Sequence, residues 1–180
     1  MSKLDLVVPF AFINPRFSLS WKECLFGYGE GYLSAKSVVS MAQAAVLSQD
    51  YLDSAILELA ALKKGKSPRG LLEEAASLEA DQSVDVTREK WLFILLSWLF
   101  EEKDKKRNPF LDLEYIYYQF DYPPCMKSFI ESEPSRTSWM RTSKQNKQVL
   151  IKKWSEFLKE NNKYSVALSK NSSGSEFEVV

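Results

Sequence analysis

Across residues 91–100 a single serine, Ser97, interrupts a run that is otherwise apolar on every side of a helix. A helix of that kind has no face to leave in water, so other elements must surround it. It is also only about half of the roughly 20 residues needed to cross a bilayer. The run therefore predicts the central helix of a folded core, with Thr87 as its cap and Trp98 among its core side chains. Its polar continuation, residues 101–107, returns to solvent.

The rest of the chain supplies packing partners. Ser20 followed by Glu23 is a capping-box pattern that opens a short helix through Trp21, Cys24, Leu25 and Tyr28, stopped by Gly29 and Gly31. Ser34 caps a second helix, in which Val38, Val39, Ala42, Ala45 and Val46 recur at helical spacing. Asp50 or Asp53 starts a third, which runs through Leu52, Ile56, Leu59 and Ala60 to a stop at Gly65. Pro68 sits at a first-turn position of the next, residues 69–80, with Leu71, Leu72, Ala75 and Leu78 on one side. Beyond the central helix, Asn108 and Pro109 form a cap and first-turn pair for a helix through Leu113, Ile116, Tyr117 and Phe120, which Pro123 and Pro124 end. A short helical segment, residues 125–130, follows. Leu150, Ile151, Trp154, Phe157 and Leu158 mark an amphipathic last helix within residues 143–161.

Strands do not alternate with these helices, so the predicted fold class is all-α, a compact single-domain bundle of about seven or eight helices. The helical domain spans residues 18–163. An extended arm, residues 1–17, precedes it, with Pro9, Pro15 and room for one short strand, and a mobile tail, residues 164–180, rich in Ser, Gly, Asn and Glu, follows it. A chain of 180 residues with 45% hydrophobic and 13% aromatic content excludes disorder along its whole length.

Composition also removes chemistry. The chain contains no histidine, which excludes Ser-His-Asp and Cys-His nucleophiles, His-Cys zinc sites and every imidazole acid or base. Two cysteines, Cys24 and Cys125, read as ordinary thiols of a reducing compartment, with Cys24 packed. The apolar stretch at residues 6–13 follows Asp5, is interrupted by Pro9 and lacks a cleavage site, so it does not read as a signal peptide. Gly65-Lys66-Ser67 lacks the glycine five residues earlier that a phosphate loop requires, because Ala60 stands there. Gly27, Gly29 and Gly31 have the wrong spacing for a dinucleotide fingerprint and read as a helix end and turn. Glu73, Glu74, Glu79, Glu101, Glu102 and Asp112 show no convergent metal-binding spacing and read as solvated faces. No catalytic residue, cofactor or metal is predicted, and the protein is expected to be cytoplasmic and not an enzyme.

Charge sums to zero but is unevenly spread. Arg136, Arg141, Lys144, Lys147, Lys152, Lys153, Lys159 and Lys163, with Trp139 and Trp154 interleaved, offer one non-enzymatic alternative: a helical adaptor contacting nucleic acid or a regulatory partner through residues 136–163. Much of that helix reads as an ordinary mixed-charge outer face, with Glu156 and Glu160 among the lysines. Residues 101–133 lean acidic and hold Tyr115, Tyr117, Tyr118 and Tyr122. Tyrosines supply rigid contact area and carboxylates supply steering, a combination suited to a basic protein partner. The candidate partner-binding residues are Glu101, Glu102, Asp112, Glu114 and Asp121 for steering, with Tyr118 and Tyr122 as anchors.

Two segments carry a resemblance. Residues 19–43, LSWKECLFGYGEGYLSAKSVVSMAQ, hold a tryptophan helix, a glycine turn and a Leu-Ser helix start; residues 90–130, KWLFILLSWLFEEKDKKRNPFLDLEYIYYQFDYPPCMKSFI, hold a Trp-rich helix, an Asn-Pro-Phe cap and a Phe-Asp-Tyr-Pro ending. Both resemble a bacterial family of unknown function whose members accompany polymorphic toxins as immunity proteins. The resemblance implies a cytosolic protein that binds a cognate toxin domain and blocks it stoichiometrically. It carries no catalytic residues and does not extend past Pro134.

Overall fold

The computed structural model describes residues 6–48, 53–130 and 144–166, with the side chains of residues 144 and 145 outside the description. Among the described residues there are nine α-helices and no strand, as expected of an all-α fold. The central helix, α6 (Val84–Glu102), has Trp91, Leu92, Phe93, Ile94, Leu95, Leu96 and Leu99 buried. Each such side chain contributes roughly 1.5–3 kcal/mol relative to exposure. Two expectations about this helix are corrected. It starts one turn earlier than Thr87, with Ser83 extended at the cap position and Asp85 placed where its charge favours the helix N-terminus, so Thr87 is a buried interior residue. Trp98 is only half-buried, its ring 5.4 Å from the Lys106 ammonium; the fully buried tryptophan of this helix is Trp91.

Helix α2 (Trp21–Glu30) has the predicted capping box, with both Ser20 and Glu23 making their reciprocal bonds. It runs through Gly29 and ends at Gly31, whose left-handed φ of 82° closes the turn. Gly27 is not part of that turn. It lies buried inside the helix, where a β-carbon would fall 2.6 Å from Cε2 of Trp91. Only glycine lets α2 and α6 approach this closely.

Helices α3 (Ala35–Ser48), α4 (Ser54–Ala60) and α5 (Arg69–Ser77) pack in succession, and α5 returns to α2. Ser34 Oγ accepts the Ser37 amide at 3.0 Å, and Asp53 caps α4. Asp50 and Leu52 lie outside the described residues. Helix α4 ends at Ala60, short of Gly65, and Gln43 Nε2 donates to the freed Ala60 carbonyl at 3.1 Å; Gly65, φ 87°, sits in the following turn. Pro68 is the cap residue of α5 rather than its first turn, and α5 ends at Ser77, leaving Leu78 exposed. That early end frees Glu79, whose two carboxylate oxygens accept the Trp21 and Lys22 amides at 2.8 and 2.9 Å. Glu79 therefore completes the α2 cap instead of lying on a solvated face.

The N-terminal segment is less extended than predicted. Residues 6–9 form neither helix nor strand, with Val8 N donating to Tyr32 O at 2.9 Å and Pro9 extended, but a helical turn, α1 (Phe10–Ile13), follows. Phe12, Ile13 and Phe17 have helical rather than alternating spacing, and all three are buried. An isolated bridge pairs Phe17 with Ser165, and Val166 N donates to Arg16 O at 2.7 Å, so residues 165 and 166 dock on the N-terminal segment. The rest of the tail, residues 167–180, lies outside the described residues. Helices α7 (Pro109–Gln119), α8 (Lys127–Ile130) and α9 (Lys144–Glu160) close the far side of α6. There Trp154 stacks on Phe129 and meets Phe100 edge-on at 5.1 Å.

Candidate partner-binding surface

The C-terminal corner of α7 is built against ordinary backbone preference. Asp121 and Tyr122 both have φ of 58°, a region that a bulky L-residue occupies only when its surroundings force it. Tyr122 N donates to Tyr117 O at 2.9 Å and Asp121 N to Tyr118 O at 3.2 Å, which closes the helix as a glycine would elsewhere. Arg88 on α6 clamps the corner. Its guanidinium donates to the Asp121 carboxylate at 2.8 Å and to Gln119 O at 3.3 Å, and sits 5.5 Å from the centre of the Phe120 ring. The result holds two tyrosines outward. Tyr118 and Tyr122 are 61% and 54% exposed, and Tyr122 stands edge-on to Tyr117 and Tyr118 at 5.2 and 5.9 Å.

The predicted carboxylates do not form one patch. Glu101 lies at the end of α6 against Arg16 at 3.2 Å, and Glu102 pairs with Lys105 at 2.9 Å. Asp112 is buried in the first turn of α7 and pairs with Lys106 at 2.6 Å. Asp121, past the other end of the helix, is held by Arg88; the 11 residues of α7 separate these two ends by about 16 Å. Glu114 alone of the five faces no cation among the described residues, and partial burial pushes its carboxyl above the usual glutamate range. Aromatic contact area rather than a field of free carboxylates is what this side of the molecule presents.

The other sequence candidates are placed as follows. Arg136, Trp139 and Arg141 lie outside the described residues, as does the side chain of Lys144. On α9, Lys147, Lys153 and Lys159 are exposed and Lys152 is near Glu156 at 3.9 Å; past its end, Lys163 pairs with Glu89 at 2.8 Å. Trp154 is fully buried and offers no face to a base. Cys24 is buried beside Met41, Sγ to Sδ 3.5 Å, and burial pushes its thiol far above the normal range. Gly65-Lys66-Ser67 forms an exposed turn after a helix. No metal-binding cluster occurs among the described residues, and no helix among them is long and apolar enough to cross a membrane.

Sequence reasoning missed three features. One is a buried polar network in which Glu23 accepts from Lys90 Nζ at 2.6 Å and Gln82 Nε2 at 3.0 Å, while its carbonyl accepts from Trp91 Nε1 at 2.9 Å. The second is the Arg88 clamp, for which the sequence carries no signal because its partners lie more than 30 residues away. The third is a pair of clefts that meet at Gly29 and Glu30. One, about 320 Å³, lies between the end of α2 and α7 and is lined by Tyr32, Tyr115 and Gln119. The other, about 350 Å³, lies between α2 and α5 and is lined by Phe26, Arg69 and Val84.

No curated protein and no solved structure is significantly similar to the chain. A family model matches residues 10–162, which takes in α1 through α9, the tyrosine corner and, apart from Leu6, the lining of both clefts. Its description names neither an activity nor a partner. By that match the chain belongs to the family described as "Uncharacterized protein conserved in bacteria (DUF2247)".

Proposed function

We propose that this protein is a non-enzymatic inhibitor that neutralises a co-encoded toxin domain by stoichiometric binding through the outer face of α7. The observation that carries the reading is the Tyr118 and Tyr122 pair, held out by a corner whose backbone is strained and clamped by Arg88. Strain of roughly 1–3 kcal/mol per residue persists where the surrounding structure over-determines it, and such sites are concentrated where a surface has work to do. Rigid tyrosines lose little conformational entropy on binding and commonly dominate interface energy. Leu111, also exposed, lies one and two turns before Glu114 and Tyr118 on the same helix and extends the apolar stripe.

The resemblance of residues 19–43 and 90–130 to immunity proteins supports the choice of partner, since these segments contribute α2, most of α6, α7 and the corner itself. Chemistry plays no part in such a role; covering the partner's active site or an adjoining surface suffices. The test is co-expression with the toxin domain encoded beside this gene. The proposal expects cell survival and co-purification as a one-to-one complex. Continued toxicity with the protein present and folded would remove it.

A further inference from the structure

A carboxylate withdrawn from water is normally matched by a cation or by backbone amides, because burial strips it of hydration. Among the described residues six acids are partly or fully buried, and five of them follow this pattern. Glu23 meets Lys90, Asp112 meets Lys106 and Glu102 meets Lys105, while Glu79 and Asp53 accept backbone amides at the starts of α2 and α4. Glu114 is the sixth. It pairs with no cation and accepts no hydrogen bond among the described residues, and loss of water alone pushes its carboxyl up.

Its own helix supplies no counter-charge. One turn away on α7, three and four residues to either side, stand Phe110, Leu111, Tyr117 and Tyr118, with no lysine or arginine among them. Leu111 and Tyr118 are exposed and share the outer face with Glu114, so the carboxylate lies between two side chains that offer apolar contact area. A partner that covers both must cover Glu114 as well. Covered without a cation, the carboxylate would lose its remaining water uncompensated; covered by one, it forms an ion pair shielded from solvent, where charge attraction exceeds that at an open surface.

We infer that the partner docked on this face presents a lysine or arginine that pairs with Glu114 between Leu111 and Tyr118. The inference rests on the proposed inhibitor role and adds to it the chemistry of the partner's contact point. The Tyr118 ring provides a second surface for the same cation. In the free protein the unpaired carboxylate works against the fold, and its charge is useful only once a cation covers it; binding surfaces commonly trade stability for function in this way.

The test is calorimetric titration of the cognate toxin domain against the full chain and its Glu114→Gln, Glu114→Leu and Glu74→Gln variants, with a urea midpoint for each. Glu74 is exposed on α5, so its variant removes the same charge from another helix. Glu114→Gln should weaken binding about tenfold or more, as loss of a charged hydrogen bond does. Glu114→Leu should weaken it further, because the partner's cation is then buried with no counter-charge. Glu74→Gln should bind within about twofold of the parent, since solvent and salt screen an exposed charge away from the contact. Both variants at position 114 should unfold at the same urea concentration as the parent or a higher one, so weaker binding cannot come from a damaged fold. A lower midpoint in Glu114→Gln would show that the fold itself holds the carboxylate, and would overturn the inference. Glu114→Leu binding as tightly as the parent would mark a purely apolar dock, and equal losses at positions 74 and 114 would mark general steering; either overturns the inference and leaves the inhibitor role standing. A parent that does not bind removes the inhibitor role and this inference with it.

Discussion

The indole of Trp91 lies directly against the Cα of Gly27, so that a β-carbon at position 27 would come within 2.6 Å of Cε2 and nearer still to Cζ2. Trp91 is fully buried on the central helix, and the ring has nowhere to move. Gly27→Ala should therefore destabilise by about 1–3 kcal/mol through overpacking, even though alanine is the better helix former. Gly29→Ala, two residues along the same helix, meets open space and should stabilise by about 0.5–1 kcal/mol. Urea unfolding of the two variants checks the opposite signs; two changes of the same sign would contradict this packing.

The two largest buried side chains are predicted to respond differently to the same change. Trp91 Nε1 donates to Glu23 O at 2.9 Å, so Trp91→Phe loses a hydrogen bond as well as volume and should cost about 2–4 kcal/mol. Trp154 Nε1 is buried without a partner among the described residues, a penalty that phenylalanine removes. Trp154→Phe should cost about 1 kcal/mol or less. Thermal unfolding midpoints would show the ordering, and a larger loss at Trp154 would refute it.

Much of the fold was legible because it rests on local periodicity. The apolar run at residues 91–100, the Ser20 and Glu23 capping box and the Asn108-Pro109 start all depend on neighbours in sequence. What was misread depends on distant residues. Gly27 looks like part of a glycine turn until Trp91 is placed against it, and Glu79 looks solvated until α5 ends early enough to bring it to the start of α2. Of the candidate interface, Tyr118 and Tyr122 are exposed, but no spacing rule told them apart from the tyrosines that pack against the core, and the cations opposite Glu101, Asp112 and Asp121 are set by tertiary packing.

Glu114 supplies a pH prediction. Its carboxyl is held above the usual range by burial, so the unfolded chain ionises first and the folded state retains the proton longer as pH rises. Stability is then lost as pH climbs from the ordinary glutamate value through the raised one. Glu114→Gln should gain stability relative to the parent between pH about 4 and pH about 7. Thermal midpoints at the two pH values measure the difference, and a constant offset would contradict the assignment.

The Arg88 clamp should matter more to local order than to global stability. Its ion pair with Asp121 is largely exposed, and such pairs contribute about 0–1 kcal/mol. Arg88→Met should leave the unfolding midpoint nearly unchanged while raising amide hydrogen exchange at Asp121 and Tyr122, whose left-handed backbone it holds. Unaltered exchange at both amides would show that Arg88 does not position the corner.

The central claim, that the tyrosine corner anchors a toxin domain, is tested most directly by calorimetric titration of the cognate domain against the parent and against the Tyr118→Ala, Tyr122→Ala double variant. Both tyrosines are more than half exposed, so the double variant should remain folded. Tight one-to-one binding by the parent and a weakening of about a hundredfold or more in the variant are predicted, as for a pair of interface anchors. A folded double variant that binds as tightly as the parent, or a parent that does not bind at all, would contradict the account.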